Sequence, residues 1–590
     1  MFNRYYQEEL SRLRKEAKRF SELHPALAPY LSGPSSDPDV ERLLEGVAFL
    51  TGLLRQKIDD EFPEIIHELM ELIWPHYLRP IPSAAIVAFR PKPMLKEAMN
   101  VPRGTKIASR PVDGTRCKFM TCFDITVHPL SVADAGLVES PTRGKALVLE
   151  LELSGMTLDA WQPPERLEIF IGKELATGLE LYHLLSRGVD YIEIEPAGQE
   201  GDGPRDGEEG NSRLRLSGKE ALEPLGFSEK EALLPYPATS FAGYRILQEY
   251  FIQPEKFLFF SIKGLDRWRN RPGTSRFRIS FFLNGKVPPP GSIGTDNFIL
   301  SATPAVNIFP CQAEPIVVDH RQTRYKLRVN GINPEHYMVY SVEEVTGFIQ
   351  GTAVERRYAP FELFGTEEGK SPVFNIIRRP SILGPGVDVF ITLAYPEGTD
   401  LVSRETLSIE MMCTNGFLPE QLQLGDICMP TSETPELIEF ANVTLASPCA
   451  LPPLGKDLLW RLVSHLNLNY VSLADAKNLK ALLRLYIFTE TRNKKGVMAN
   501  EKRIEAIEEI EFRPVDRLMH GIVMRGQEIE IKMRQDHFIN AADLFLFATI
   551  LDYFLGSYAS INSFTMLKAV ESFSGESISW PPRTGQRPLL

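Results

Sequence analysis

Cysteine is scarce in this chain. Six cysteines in 590 residues, without regular spacing, fit reduced thiols in a cytosolic protein. Long apolar runs are also missing. The longest, LFLFATILDYFL at Leu544–Leu555, is too short to span a bilayer and contains Asp552, so it predicts a buried helix. The opening residues, MFNRYYQEELSRLRKEAKRF, lack the uninterrupted apolar core of a secretory signal. Positive charge is not in excess: 65 basic residues face 77 acidic ones, for a net charge of −12. Phosphate binding needs a clustered basic footprint, so a broad nucleic-acid surface is not expected.

What is present has ordinary globular proportions. Hydrophobic residues make up 43% and charged residues 24%, enough apolar material for several cores. The length suggests roughly three to five domains.

The most informative stretch is Asp37–Ser83, which predicts two amphipathic helices ending in a proline cluster. Asp37 is a cap, and Pro38 suits the first helical position, where its missing N–H costs nothing. Asp39 and Glu41 place negative charge at the positive helix end. Leu43, Val47, Leu50, Leu54 and Ile58 recur at three- and four-residue steps, one face of a helix. A second helix is expected near Pro63, with Phe62, Ile65, Ile66, Leu69 and Ile73 as its stripe. Pro75 ends it, and Pro80 and Pro82 predict an extended exit. Pro75, Pro80 and Pro82 together form a candidate hinge.

The first twenty residues predict another helix. Tyr6, Leu10, Leu13, Ala17 and Phe20 are spaced four, three, four, three, which is a coiled-coil seam narrower than an ordinary core-facing stripe. Arg4, Arg12, Arg14, Lys15, Lys18 and Arg19 lie mostly off it. Two readings follow: a helix packed on its own domain, or a seam for a helix of another chain.

After Pro82 the period changes to two. Leu147 to Leu153, Phe277 to Phe281, Tyr325 to Val329 and Val387 to Leu393 alternate as half-buried strands. Asn284-Gly285 and Asn330-Gly331 predict tight hairpin turns. A short helix is expected at Lys173–Ser186. Ala197–Asn211, AGQEGDGPRDGEEGN, predicts a mobile acidic loop. Proline-rich breaks at Val287–Gly291 and Ser447–Gly455 suggest boundaries. Toward the end, Leu458–Asn467, Leu479–Phe488 and Ala541–Leu555 read as helices and Glu528–Met533 as a strand.

Chemical motifs fail on inspection. GTEEGKS at Gly365–Ser371 is one residue short of a phosphate loop, and Glu367 and Glu368 repel phosphate. His67-Glu68 opens like a zinc-protease helix, but Glu71 stands where the second histidine belongs. Cys117, Cys122 and His128 have no second ligand pair and predict buried groups in a β domain. Asp319-His320 has no nucleophile beside it, and Gly384-Pro385-Gly386 lacks the third glycine of a dinucleotide fingerprint. No catalytic, cofactor or metal residue is assigned.

Several long strings, in consistent order, resemble the TssF family of the type VI secretion system. They are FNRYYQEELSRLRKEAKRFSELHPALA, DPDVERLLEGVAFLTGLLRQKIDDEFPE, WPHYLRPIPS, TPAVNIFPCQAEPIVVDHRQTRY, CTNGFLPEQL, LLWRLVSHLNLNYVSL, YASINSF and WPPRTGQRPLL. The resemblance implies a structural baseplate subunit, similar to wedge proteins of contractile phage tails, and not an enzyme. It implies two copies joining one TssG through a helical bundle, TssK binding that unit, and wedges closing around a VgrG hub. TssE and the sheath, neighbouring wedges and the cytoplasmic side of the inner-membrane complex complete the implied surroundings. It also favours another chain as the partner of the Tyr6–Phe20 seam.

The expected architecture is α+β and multidomain: a helical segment at 1–82, β-rich domains at 83–290 and 291–450, and a mixed α/β domain at 451–590. The competing reading is a cytosolic β-rich module that binds a peptide or carbohydrate, which would show an aromatic-lined groove.

Overall fold

The computed structural model describes residues 2–28, 38–140, 144–172, 174–197, 212–236, 241–331, 333–351, 355–361, 372–381, 384–395, 404–455, 461, 475–519 and 521–585. It is an α+β assembly of several sheets with helices at its start.

Helix α1 spans Phe2–Leu23 and helix α2 spans Pro38–Ile73. They pack as an antiparallel hairpin: Arg14 meets Glu41 at 3.2 Å, and Glu9 meets Arg55 at 2.6 Å. The two helices expected over Asp37–Ile73 are one helix of 36 residues that passes through Pro63. A proline removes a single intrahelical bond, and the helical apolar spacing continues on both sides of it. Asp37 and the side chains of Ile58, Phe62, Ile65 and Ile66 lie outside the described residues. The helix does stop before Pro75, and Pro75–Leu78 forms one turn of 3-10 helix.

The exit from the hairpin enters the protein. Strand Ala84–Pro91 lies inside a five-stranded antiparallel sheet between Ile438–Asn442 and Ala302–Val306, with Thr115–Thr121 and Lys106–Val112 beyond. Its run AAIVAF is buried on both faces, which explains why it does not alternate. A second sheet aligns Phe277, Ile279 and Phe281 with Leu151, Leu149 and Leu147, so the period-2 residues meet in one buried layer. Tyr325, Val389 and Ile391 are likewise buried in an eight-stranded sheet, whereas the strand expected over Tyr325–Val329 spans only Tyr325–Lys326, with Leu327 and Val329 buried beyond its end.

Helix Leu175–His183 continues into a π turn to Gly188, helix Ala476–Leu485 covers much of the expected Leu479–Phe488, and Ala541–Gly556 is almost wholly buried. Strand Ile522–Met533 includes the expected Glu528–Met533; it runs parallel to Ser563–Glu571, with the Ala541–Gly556 helix in the crossover between them. The acidic loop beyond Ala197, and Leu458–Asn467 apart from Arg461, lie outside the described residues.

Two expectations about turns are corrected. Asn284-Gly285 turns, with Gly285 at φ 75°, but the next strand, Phe298–Leu300, joins a different sheet. Asn330-Gly331 likewise closes no hairpin, because the strands on either side pair with other neighbours. Turn chemistry is local, whereas pairing depends on which strand arrives from elsewhere. A two-residue hairpin does form at Asp113-Gly114, φ 48° and 78°, where Val112 faces Thr115.

The buried apolar residues form two cores. The larger draws on residues from Met70 to Trp580, and the smaller on Phe309 to Cys413. The chain crosses between them at Asn307 and Asn415, whose side chains bond to each other's backbone or amide at 2.7 and 3.0 Å. One cysteine expectation is also corrected. Cys311 and Cys413 are bonded, because antiparallel pairing of Phe309–Gln312 with Glu405–Thr414 brings their Cα atoms to 6.3 Å. A separation of 102 residues gave no sign of it. Cys117, Cys122, Cys428 and Cys449 are free thiols.

Candidate functional site

The helical hairpin is the feature with unsatisfied physics. Successive residues of a helix turn by about 100°. Ala48 and Gly52 are buried on the face of α2 that meets α1. The contact is close at Gly52, where an added Cβ would stand 3.2 Å from the Tyr6 nitrogen and 3.3 Å from its Cα. A residue without a side chain lets the two backbones approach.

Leu43, Val47, Leu50 and Leu54 occupy another face. Their steps of four, three, four are those of a coiled-coil seam, and they are 68%, 40%, 61% and 61% exposed. Phe49 and Leu53 project from a third face and are also exposed. A helix apolar on nearly all sides belongs inside a bundle; among the described residues α1 covers one side of it, and only its base meets strand Val373–Pro380. Covering each exposed leucine is worth about 1.5–3 kcal/mol, so this face favours being covered.

The α1 seam is used differently. Ala17 is buried, Tyr6, Leu10 and Leu13 are half-buried, and Phe20 is exposed beside Leu23. Much of that seam therefore packs within the hairpin. Arg12, Arg14, Lys15, Lys18 and Arg19 are exposed, and the side chain of Arg4 lies outside the described residues.

The base of the hairpin is fastened to both cores. Arg378, on strand Val373–Pro380, pairs with Glu71 at 2.6 Å and donates to the Tyr340 carbonyl at 3.2 Å. His67 is buried beside them, and burial holds its pKa below the ordinary value, so it stays neutral. Trp74 stacks on Tyr77 with ring centres 4.0 Å apart, and the Tyr77 hydroxyl donates to the Leu485 carbonyl. Ile81 and Ala450 exchange backbone bonds at 2.8 and 3.1 Å. Pro75, Pro80 and Pro82 are buried within this anchor, so the exit is held rather than loose.

The sequence-level chemical candidates stay apart. Glu71 serves the ion pair. Burial pushes the Cys117 thiol up to about 11 and Cys122 up to about 12, and holds His128 down at about 4, so these are uncharged core groups. Among the described residues, no cluster of three His, Cys, Asp or Glu side chains could hold a metal. The segment 365–371 lies outside them. No described helix is long and apolar enough to cross a membrane. A cleft of about 670 Å³ between the two cores is lined by Lys326, Arg328, Arg492 and two aromatic rings, Tyr337 and Phe417.

The stripe Leu43–Leu54 was legible as one helical face. That this face points outward, while the α1 seam is partly consumed, required knowing how the hairpin closes.

Three comparisons bear on the hairpin and its setting. The family model described as type VI secretion system, TssF matches residues 1–587. The chain is 30% identical to the type VI secretion system component TssF1 of Pseudomonas aeruginosa strain PAO1, over 99% of both proteins. It superposes with a TM-score of 0.75 and 27% identity on a chain of a TssK-TssF-TssG baseplate subcomplex determined by cryo-electron microscopy, covering 93% of this chain and 99% of that one. The fold also matches a chain of a type VI baseplate complex at a TM-score of 0.62 and 24% identity, over the whole of both chains.

Proposed function

The chain belongs to the TssF family of the type VI secretion system, and from that premise we propose that it is a structural wedge component of the baseplate whose α1–α2 hairpin recruits helices of other chains. The observation that carries this reading is the exposed Leu43–Val47–Leu50–Leu54 seam on a helix with further apolar residues at Phe49 and Leu53.

TssG and TssK are the natural partners, since the similar solved chain is in a complex with both. The exposed Leu43–Val47–Leu50–Leu54 face of α2 suits a bundle with an incoming helix. This favours two copies of the chain joining one TssG, in which the Tyr6–Phe20 seam, with Phe20 outermost, also contacts the neighbour. TssE and the sheath, the VgrG hub and neighbouring wedges are the remaining partners in this reading. The assembly works in the cytoplasm, at the cytoplasmic face of the inner membrane, as the platform for tube and sheath growth. The chain acts by positioning and not by catalysis.

Two copies in unequal places beside one TssG need hairpins at different angles. The buried anchor at Pro75–Pro82 resists bending, which favours a swing on the α2 side of Trp74. Two copies with the same hairpin angle in an assembled wedge would refute this part.

Native mass spectrometry of the chain co-expressed with TssG from the same gene cluster tests the whole. A species with two copies per TssG supports the wedge. A well-behaved monomer that ignores TssG returns the question to a peptide- or carbohydrate-binding module.

A further inference from the structure

The neck between the two cores carries a covalent bond that the scaffold reading does not require. The chain enters the smaller core through Phe309–Gln312 and leaves it through Glu405–Thr414, and these two strands pair antiparallel. At the point of crossing, Asn307 donates from Nδ2 to the Lys118 carbonyl at 2.6 Å, and Asn415 Oδ1 accepts from the Lys118 N–H at 3.0 Å. Just beyond lies the Cys311–Cys413 bond. Phe309–Gln312 is a short strand at the end of its sheet, with Glu405–Thr414 as its partner. Four backbone pairings, the buried Phe309 and a bond from the Asn330 N–H to the Gln312 carbonyl hold it, and the sulfur bridge is its covalent tie.

The two sulfurs differ in access. Cys413 is fully buried, whereas Cys311 is half-buried on the edge strand. Cys311 is therefore the side from which an incoming thiolate would approach. We propose that Cys311–Cys413 is a reversible thiol–disulfide staple that stiffens the neck when closed and loosens the edge strand when open.

The chemistry is an ordinary exchange. A thiolate of the glutathione class attacks the Cys311 sulfur, the Cys311–Cys413 bond breaks, and Cys413 leaves as a thiolate that takes a proton. A second thiolate attacks the mixed disulfide, frees Cys311 as a thiol after protonation, and departs as the oxidised reductant. Two electrons and two protons are delivered to the protein. The reverse direction consumes a small-molecule disulfide of the same class.

The test uses the purified full chain equilibrated with reduced and oxidised glutathione at graded ratios. Differential alkylation and mass spectrometry then read each cysteine. The expected result is that Cys311 and Cys413 convert together as a two-electron couple, while Cys117, Cys122 and Cys449 remain thiols throughout. Limited proteolysis within 309–414 should be at least about tenfold faster in the reduced chain, since an absent cross-link lets the strand open more often. Cys311→Ser should give the fast rate at every ratio, and Cys428→Ser should behave as the parent. Two free thiols at the most oxidising ratio would overturn the proposal. So would a bond that survives excess dithiothreitol under native conditions, or a cleavage rate indifferent to the bond. Should Cys311→Ser prove insoluble, Cys311→Ala and the glutathione series on the parent chain decide the matter.

Discussion

Glu71 and Arg378, 307 residues apart in the chain, form a 2.6 Å ion pair that fastens the α1–α2 hairpin to the smaller core. The Arg378 side chain is 2% exposed. Coulombic attraction at such a site repays desolvation only while both charges are present. Glu71→Ala leaves a buried guanidinium with no counter-charge and should cost about 3–5 kcal/mol. Hydrogen exchange over Val373–Pro380 should rise accordingly. Adding Arg378→Met should recover most of the loss; a double variant as unstable as the single one would show that the pair is not the fastening.

Val47→Asp with Leu50→Asp separates assembly from folding. Both side chains are exposed in the free chain, so its melting temperature should change little, with a cost within about 0.5 kcal/mol. Binding of TssG, read by pull-down or native mass spectrometry, should be lost, because an interface would bury two unpaired carboxylates. Leu10→Asp with Leu13→Asp strikes half-buried positions and should weaken the hairpin itself as well. Equal behaviour of the two double variants would contradict the assignment of faces.

Gly52→Leu tests the closeness of the helices. The nearest atoms to a new Cβ are backbone atoms of Tyr6 and Tyr5, which cannot rotate aside. α1 must move outward, at a cost of roughly 1–3 kcal/mol. Circular dichroism should show lower helix stability, and protease should cut α1 sooner. An unchanged melting curve would mean that α1 docks more loosely than the structure has it.

Glu168 supplies a pH signature. Burial, reinforced by the carboxylates of Glu231 and Asp124 and opposed by Arg166, raises its pKa to about 7. The folded state then holds a proton that the unfolded state has released, from the ordinary carboxyl range up to about pH 7. Stability therefore falls as pH rises through that window. Glu168→Gln should melt close to the parent at pH 5 and higher than it at pH 8, by roughly 1–3 kcal/mol in stability. A gain of the same size at both pH values would assign the effect to packing instead.

The sequence alone determined what depends on neighbours in the chain. The period of three and four over Leu43–Leu54 specified a helix face, and the alternation of Leu147–Leu153 and Phe277–Phe281 specified half-buried strands. Pro75 stopped α2 because its ring cannot donate the next backbone bond. The family strings were likewise a property of residue order, and they carried the functional reading further than any local pattern did.

Tertiary structure decided everything that turns on which distant segment arrives. It made one helix of Pro38–Ile73, where local reasoning broke the chain at Pro63, a residue whose ring removes a single intrahelical hydrogen bond. It denied Asn284-Gly285 a hairpin by sending the next strand to another sheet. It buried Pro75, Pro80 and Pro82, because Tyr77 and Ile81 find partners at Leu485 and Ala450, some 400 residues away or nearly so. It brought Cys311 to Cys413 through strand register. Above all, it chose which helix face remained open. A stripe in sequence marks an apolar face, and only the closing of α1 onto Ala48 and Gly52 left the Leu43–Leu54 face exposed.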